Sequence, residues 1–496
     1  KLELALEKNP ELVSAELALA FASIKSGDIA RASTIANKWL KDYPEKAGGY
    51  NLQATIYFKN NEVDKGKAAL DKSLKIEPDN VYALTQLVQL ANYQKDTEQA
   101  LKLTERAVKI YPNNIKVLSQ YFDFHKNESG LNVIIQAKKN NADDIKYGLL
   151  LAEAHMYLEQ FKQANSALDG YQIDVKTPKR YWQLMLALNA KNSDGKDPFS
   201  ILDKWQKTNP YHIESAFLLV NYWASKKSPD RALRVIEKAN KTHPNNLILH
   251  LVKMQILLNN NRSADAKVLF KELEQFEVNE DLLAGIEGRI LLLDRKFAAA
   301  VPKLRQQYQA KPTSDIATYL AFALQGNNQK EQAIELLEQF SNKEKVENKI
   351  HPRVSLSLAN MYLAEDQNKA VVEYEKLITV QPTNIVALNN LSWLYMDKGK
   401  FVEALKHSEK AYALNAKIPN VVDTYAQALL KSNKKAEALV KAKEAYTLSK
   451  GKDIDIALNL AEALLANNNQ TEAENILSGI TVGTATQKDK KKRLSK

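Results

Sequence analysis

The sequence predicts an all-α fold, a solenoid of about fourteen helix–turn–helix repeats, on three observations. Pro10, Pro44, Pro78 and Pro112 stand 34 residues apart, and the interval returns between Pro210 and Pro244. Between prolines, two apolar stripes at helical spacing flank a short polar break. Alanines recur at one place in the second stripe. A fixed period of this length marks stacked helical hairpins, each needing neighbours to cover its apolar flanks.

One period shows how the elements arise. After Pro78, Leu84, Leu87, Val88 and Ala91 form the first stripe. Residues 92–96 break it, and Ala100, Leu103, Ala107 and Ile110 form the second. Pro112 lacks the N–H that a continuing helix needs and ends the hairpin. Ala32, Ala100, Ala164, Ala232, Ala266, Ala300, Ala333, Ala404, Ala438 and Ala473 fall early in the second helices, where a larger side chain would push the paired helices apart. Small residues recur in the first helices at Ala20, Ala54, Ala152, Gly288, Ala321, Ala359, Ala426 and Ala461. Full units are expected to begin near Val13, Ala47, Val81, Ile115, Ile145, Lys179, Ile213, Leu247, Asp281, Ser314, Pro352, Ile385, Pro419 and Ile454.

Irregular stretches divide the chain. Leu2, Ala5 and Pro10 occupy second-helix positions, so 1–12 reads as the end of a truncated repeat and the chain as a fragment of a longer array. Repeats one to four fill 13–143; helix breakers in 127–130 and 138–144 predict a short second helix in the fourth. Repeats five to ten fill 144–340, with a turn signal at 194–198. A linker is expected over 341–351, repeats eleven to fourteen over 352–480, and a basic, disordered tail over 481–496.

The alanines, the terminal prolines and the best-formed unit, residues 385–416 with Leu388, Leu391, Ser392, Tyr395, Gly399, Phe401, Ala404 and Ala411, resemble the tetratricopeptide repeat. The resemblance spans nearly all of 1–480 and implies a right-handed superhelix whose first helices line a ligand-binding groove. Its expected partner-binding residues are Tyr82, Gln86, Gln89 and Asn92 early in the chain, and Asn389, Asn390, Trp393, Thr424 and Gln427 late. Asn51, Asp423, Asn459 and Glu462 read as further groove positions. Amides donate and accept at once, which suits a protein or extended peptide, or the hydroxyl row of a polysaccharide. Chaperone-binding members clamp a carboxylate with basic residues. Asn420 and Thr424 stand where those would be, which disfavours that role.

A narrower resemblance, over residues 389–439, is to bacterial repeat lipoproteins that accompany exosortase (PEP-CTERM) protein sorting and exopolysaccharide production. It implies a scaffold in the periplasm or cell envelope, held to the membrane only through an N-terminal anchor outside this sequence. A cytoplasmic setting, or a non-catalytic arm of a larger enzyme or outer-membrane exporter, is the alternative.

Composition narrows the chemistry. Of the net charge of +11, residues 481–496 carry six basic side chains against Asp489, so the rest is only weakly basic and no nucleic-acid partner is expected. With no cysteine, disulfides and thiol chemistry are excluded within this sequence, which fits an oxidising compartment. Seven histidines lack metal-ligand spacing, and no glycine-rich phosphate loop occurs. No catalytic residue, metal or cofactor is expected, and the chain reads as a non-enzyme. His212 and His243, beside Pro210 and Pro244, read as helix caps.

Overall fold

A computed structural model describes residues 13–191, 197–345 and 350–496. The truncated repeat expected over 1–12, most of the 194–198 turn and residues 346–349 of the expected linker lie outside them. Every regular element among the described residues is a helix. The first helices of the fourteen hairpins begin where the spacing places them, one residue early at Glu280 instead of Asp281. The chain divides into two compact units, 1–245 and 246–496.

In the N-terminal unit two junctions between hairpins are punctuated by a proline and then an asparagine. Pro78 and Pro112 follow the second helices Val63–Ile76 and Thr97–Ile110. Two residues later, Asn80 and Asn114 cap the next helices: Asn80 accepts from the Ala83 N–H at 2.9 Å and Asn114 from that of Val117 at 3.2 Å. The intervening turns need a left-handed residue, supplied by Gly27, Asn61, Lys95 and Glu159. Asn51, expected in the groove, is instead buried. It accepts from Ser73 at 2.8 Å and donates to Asn80 at 3.0 Å, tying neighbouring repeats together.

The expected short second helix of repeat four is not found, because Asn127 caps a thirteen-residue helix, Glu128–Asn140. The short one belongs to repeat five, Phe161–Ser166, of six residues. The irregular chain that follows is held by buried Asn209, which donates to the Val175 carbonyl at 2.8 Å and accepts from the Trp182 indole at 3.0 Å. His212 does not cap with its side chain; its Nδ1 accepts from the Trp205 indole at 3.2 Å.

The C-terminal unit repeats this design with left-handed turns at Asn261, Arg295, Asn328, Gly399, Asn433 and Asn468. The recurrent second-helix alanines, from Ala266 to Ala473, are fully buried. In the hairpin of Ile385–Asp397 and Phe401–Leu414, the small Ala404 lets the Ser392 hydroxyl reach across and donate to the Ala404 carbonyl at 2.8 Å. At Gly288 a Cβ would lie 2.7 Å from Leu304, so only glycine fits that crossing.

The basic tail is not disordered. Residues Ala485–Leu494 form a helix, opened by a reciprocal capping box between Thr484 and Gln487. Gln487 also donates to Asp455 at 3.1 Å, Lys490 pairs with Glu462 at 2.8 Å, and Leu494 packs on the last repeat's core. The helix thereby packs against the last described repeat. No helix among the described residues is long and apolar enough to cross a membrane.

Candidate functional site

A cavity of about 960 Å³ in the C-terminal unit opens on the first helices of its last repeats. Asn384 starts the Ile385–Asp397 helix by accepting from the Ala387 N–H at 3.1 Å. Helical spacing then sets Asn389, Trp393 and Asp397 on one face, with Asn390 beside them. The Pro419–Lys431 helix, with proline in its first turn, adds Asn420, Asp423, Thr424, Gln427 and Lys431. Asp453 caps the Ile454–Ala466 helix, which brings Asp455, Ile456 and Asn459, and Lys490 enters from the C-terminal helix.

The five late residues expected to bind a partner thus meet in one cavity. Their states differ. Asn390 donates to the Tyr374 hydroxyl at 2.7 Å, and that hydroxyl donates to Asn360 at 2.6 Å, so Asn390 is fixed from below. Burial raises the Tyr374 phenol's pKa, keeping it a donor at neutral pH. The Thr424 hydroxyl is committed to its own helix, donating to the Asn420 carbonyl at 2.8 Å. Trp393 is 51% exposed, so much of its ring faces outward.

Three buried polar atoms in this cavity have no hydrogen-bond partner among the described residues: Asn389 Oδ1, Asp423 Oδ1 and Gln427 Nε2. Leaving such a group unsatisfied costs about 1–3 kcal/mol. They are two acceptors and one donor on side chains that line the same cavity. The other Asp423 oxygen accepts from Asn459 at 2.7 Å. Desolvation pushes the Asp423 carboxyl up to about 7, with Asp453 and Asp455 adding to the rise and Asn459 and Lys490 opposing it.

The early four residues lie in the N-terminal unit. The Tyr82 hydroxyl is hydrogen-bonded to Thr55 at 2.5 Å and its ring packs on Phe21, with centroids 5.6 Å apart. That serves contact between repeats. Gln86 is half-buried, and Gln89 and Asn92 are exposed. Sequence reasoning left Lys490 out by assigning it to a disordered tail. The Thr484-x-x-Gln487 capping signature was the signal that a helix starts there.

Residues 47–80, 82–114 and 385–418 each match family models described as tetratricopeptide repeat. The chain carries tetratricopeptide repeats. The third matched unit supplies Asn389, Asn390 and Trp393 to the cavity. No curated protein matches the chain in sequence. Among solved structures, the APC/C hetero-tetramer Cut9–Hcn1 is similar at 13% identity, covering 99% of this chain and 98% of that one, with a TM-score of 0.44. Yeast Tom70 is similar at 16% identity over 88% of this chain and 96% of its own, with a TM-score of 0.42. The C-terminal part of a TPR repeat-containing protein from Cytophaga hutchinsonii, at 16% identity, covers 48% of this chain and 97% of its own, with a TM-score of 0.37. At these identities and scores nothing is carried over from those proteins. The narrower resemblance to exosortase-associated lipoproteins gains no support from these matches.

Proposed function

We propose that this protein is a non-catalytic scaffold whose last tetratricopeptide repeats grip an extended protein segment. Tetratricopeptide repeats suggest an interaction scaffold, and the cavity on the Ile385–Asp397, Pro419–Lys431 and Ile454–Ala466 helices brings three unsatisfied polar side chains into one lining. The observation that carries the reading is the convergence of Asn389 Oδ1, Asp423 Oδ1 and Gln427 Nε2 beside the exposed Trp393 ring. A peptide backbone alternates donors and acceptors and so matches such a set. The setting we propose is the bacterial cell envelope, supported by the lack of cysteine and by the resemblance of residues 389–439 to envelope lipoproteins.

Titration of the full chain against unstructured peptides and against neutral polysaccharide fragments tests this. Truncating a central aromatic anchor commonly costs on the order of 2 kcal/mol or more. Peptide binding should therefore weaken at least ~10-fold in Trp393→Ala with helical content unchanged. Binding of the polysaccharide alone would reassign the ligand, and equal peptide affinities in both proteins would move the site elsewhere.

A further inference from the structure

The charges in this cavity point further. Its two cationic side chains are already engaged, Lys490 with Glu462 at 2.8 Å and Lys431 with the same carboxylate at 3.7 Å. Glu462 is thereby spent: burial alone would raise its pKa, but Lys490, Lys431 and the neighbouring Arg493 hold it below the usual carboxylate range. The four aspartates in the lining, Asp397, Asp423, Asp453 and Asp455, make no ion pair among the described residues. The lining is therefore locally acidic in a chain whose net charge is +11.

Two further observations separate this from a solvated acidic cluster. Asp423 is only partly open to water: its Oδ1 is buried and unpartnered, with Asn459 holding the other oxygen at 2.7 Å. Trp393 lines the same cavity and presents a half-exposed ring, and the electron-rich face of an indole attracts a cation. One helix further along, an amide and a carboxylate already hold a cation of the protein's own. The Lys490 ammonium donates to Asn459 Oδ1 and pairs with Glu462.

Resting on the reading that this cavity holds an extended peptide, we infer that it selects a basic residue of that peptide, a lysine or arginine side chain whose cation pairs with Asp423 and packs on Trp393. A carboxylate held in a partly dehydrated cleft discriminates charge more strongly than one on an open surface, because little solvent screens it. The overall positive charge of the chain works against random adhesion of basic peptides, so any such binding reports the local field.

The probe is a short Gly-Lys repeat peptide, blocked at both ends, compared with the same peptide bearing Nε-acetyl-lysine. Isothermal titration uses the full chain, Asp423→Asn and Trp393→Ala, with circular dichroism confirming that each variant keeps its helices. The wild type should bind the free-lysine peptide about tenfold tighter than the acetylated one, and Asp423→Asn should bind both alike. Equal binding of the two peptides by the wild type, with both weakened in Trp393→Ala, would overturn the cation preference and leave the peptide-binding reading standing. Binding of neither peptide affected by Trp393→Ala would overturn that reading itself. A full lysine preference retained in Asp423→Asn would remove Asp423 from the role.

Discussion

Single residues carry the account's sharpest physical consequence at Asp423. Its carboxyl is raised from an ordinary 3.8 to about 7, chiefly by desolvation, with Asp453 and Asp455 reinforcing and Asn459 and Lys490 opposing. A folded-state pKa above the unfolded one means the native protein binds the extra proton between those values. Stability should therefore fall as pH rises from about 4 to about 7 and then level off. Asp423→Asn removes the ionisation while keeping an acceptor for Asn459. Urea unfolding of the C-terminal repeats should show the variant more stable than wild type near pH 8, by on the order of 2–4 kcal/mol, with the gap closing toward pH 4. An unchanged gap across that range would mean Asp423 is not the titrating group. The lysine preference should move oppositely, growing as pH rises through about 7 and Asp423 becomes an anion. That Asp423 faces the groove follows from its helix position. That its other oxygen is held by Asn459, 36 positions away, is encoded by no local pattern.

At the scale of helices, most of the architecture was legible because it is written locally and repeated. At several junctions proline ends a second helix and asparagine two residues on caps the next, as at Pro78 and Asn80 or Pro382 and Asn384, and a small residue marks the crossing. Ala404 exemplifies the last: fully buried, with the Ser392 hydroxyl reaching its carbonyl at 2.8 Å. Ala404→Leu should force this hairpin apart and destabilise by roughly 1–3 kcal/mol in denaturant unfolding. An unaltered midpoint would show that the crossing tolerates a larger residue. Helices that depart from the repeat were read less well. The breakers of 127–130 suggested a broken helix in repeat four, yet Asn127 works as a cap and the helix runs thirteen residues. The six-residue helix Phe161–Ser166 is followed by a turn with left-handed Gly170, and Asn209, held by Trp182, anchors the irregular chain beyond it. The C-terminal helix was hidden by its charge. A run of lysines reads as solvated until Glu462 and Asn459 are seen to receive Lys490.

For the molecule as a whole, periodicity gave the class of fold and the count of hairpins, while it treated every groove position alike. Stability in such an array comes from each hairpin stacking on the next. Function has to come from the few positions where the repeats differ. Tyr82 and Trp393 are both aromatic groove candidates on first helices, two turns apart in the repeat, yet Tyr82 is consumed by Thr55 and Phe21 and Trp393 stays half exposed. The central claim is that the partner enters beside Trp393 and not on the Val81–Tyr93 helix. Photo-crosslinking tests it most directly. Benzoylphenylalanine is placed in the full chain at Met396, which lines the cavity, or at exposed Gln89, and each protein is irradiated with the Gly-Lys peptide. A crosslinked product is expected from the Met396 position and none from Gln89; a product from Gln89 alone would place the partner on the Val81–Tyr93 helix instead.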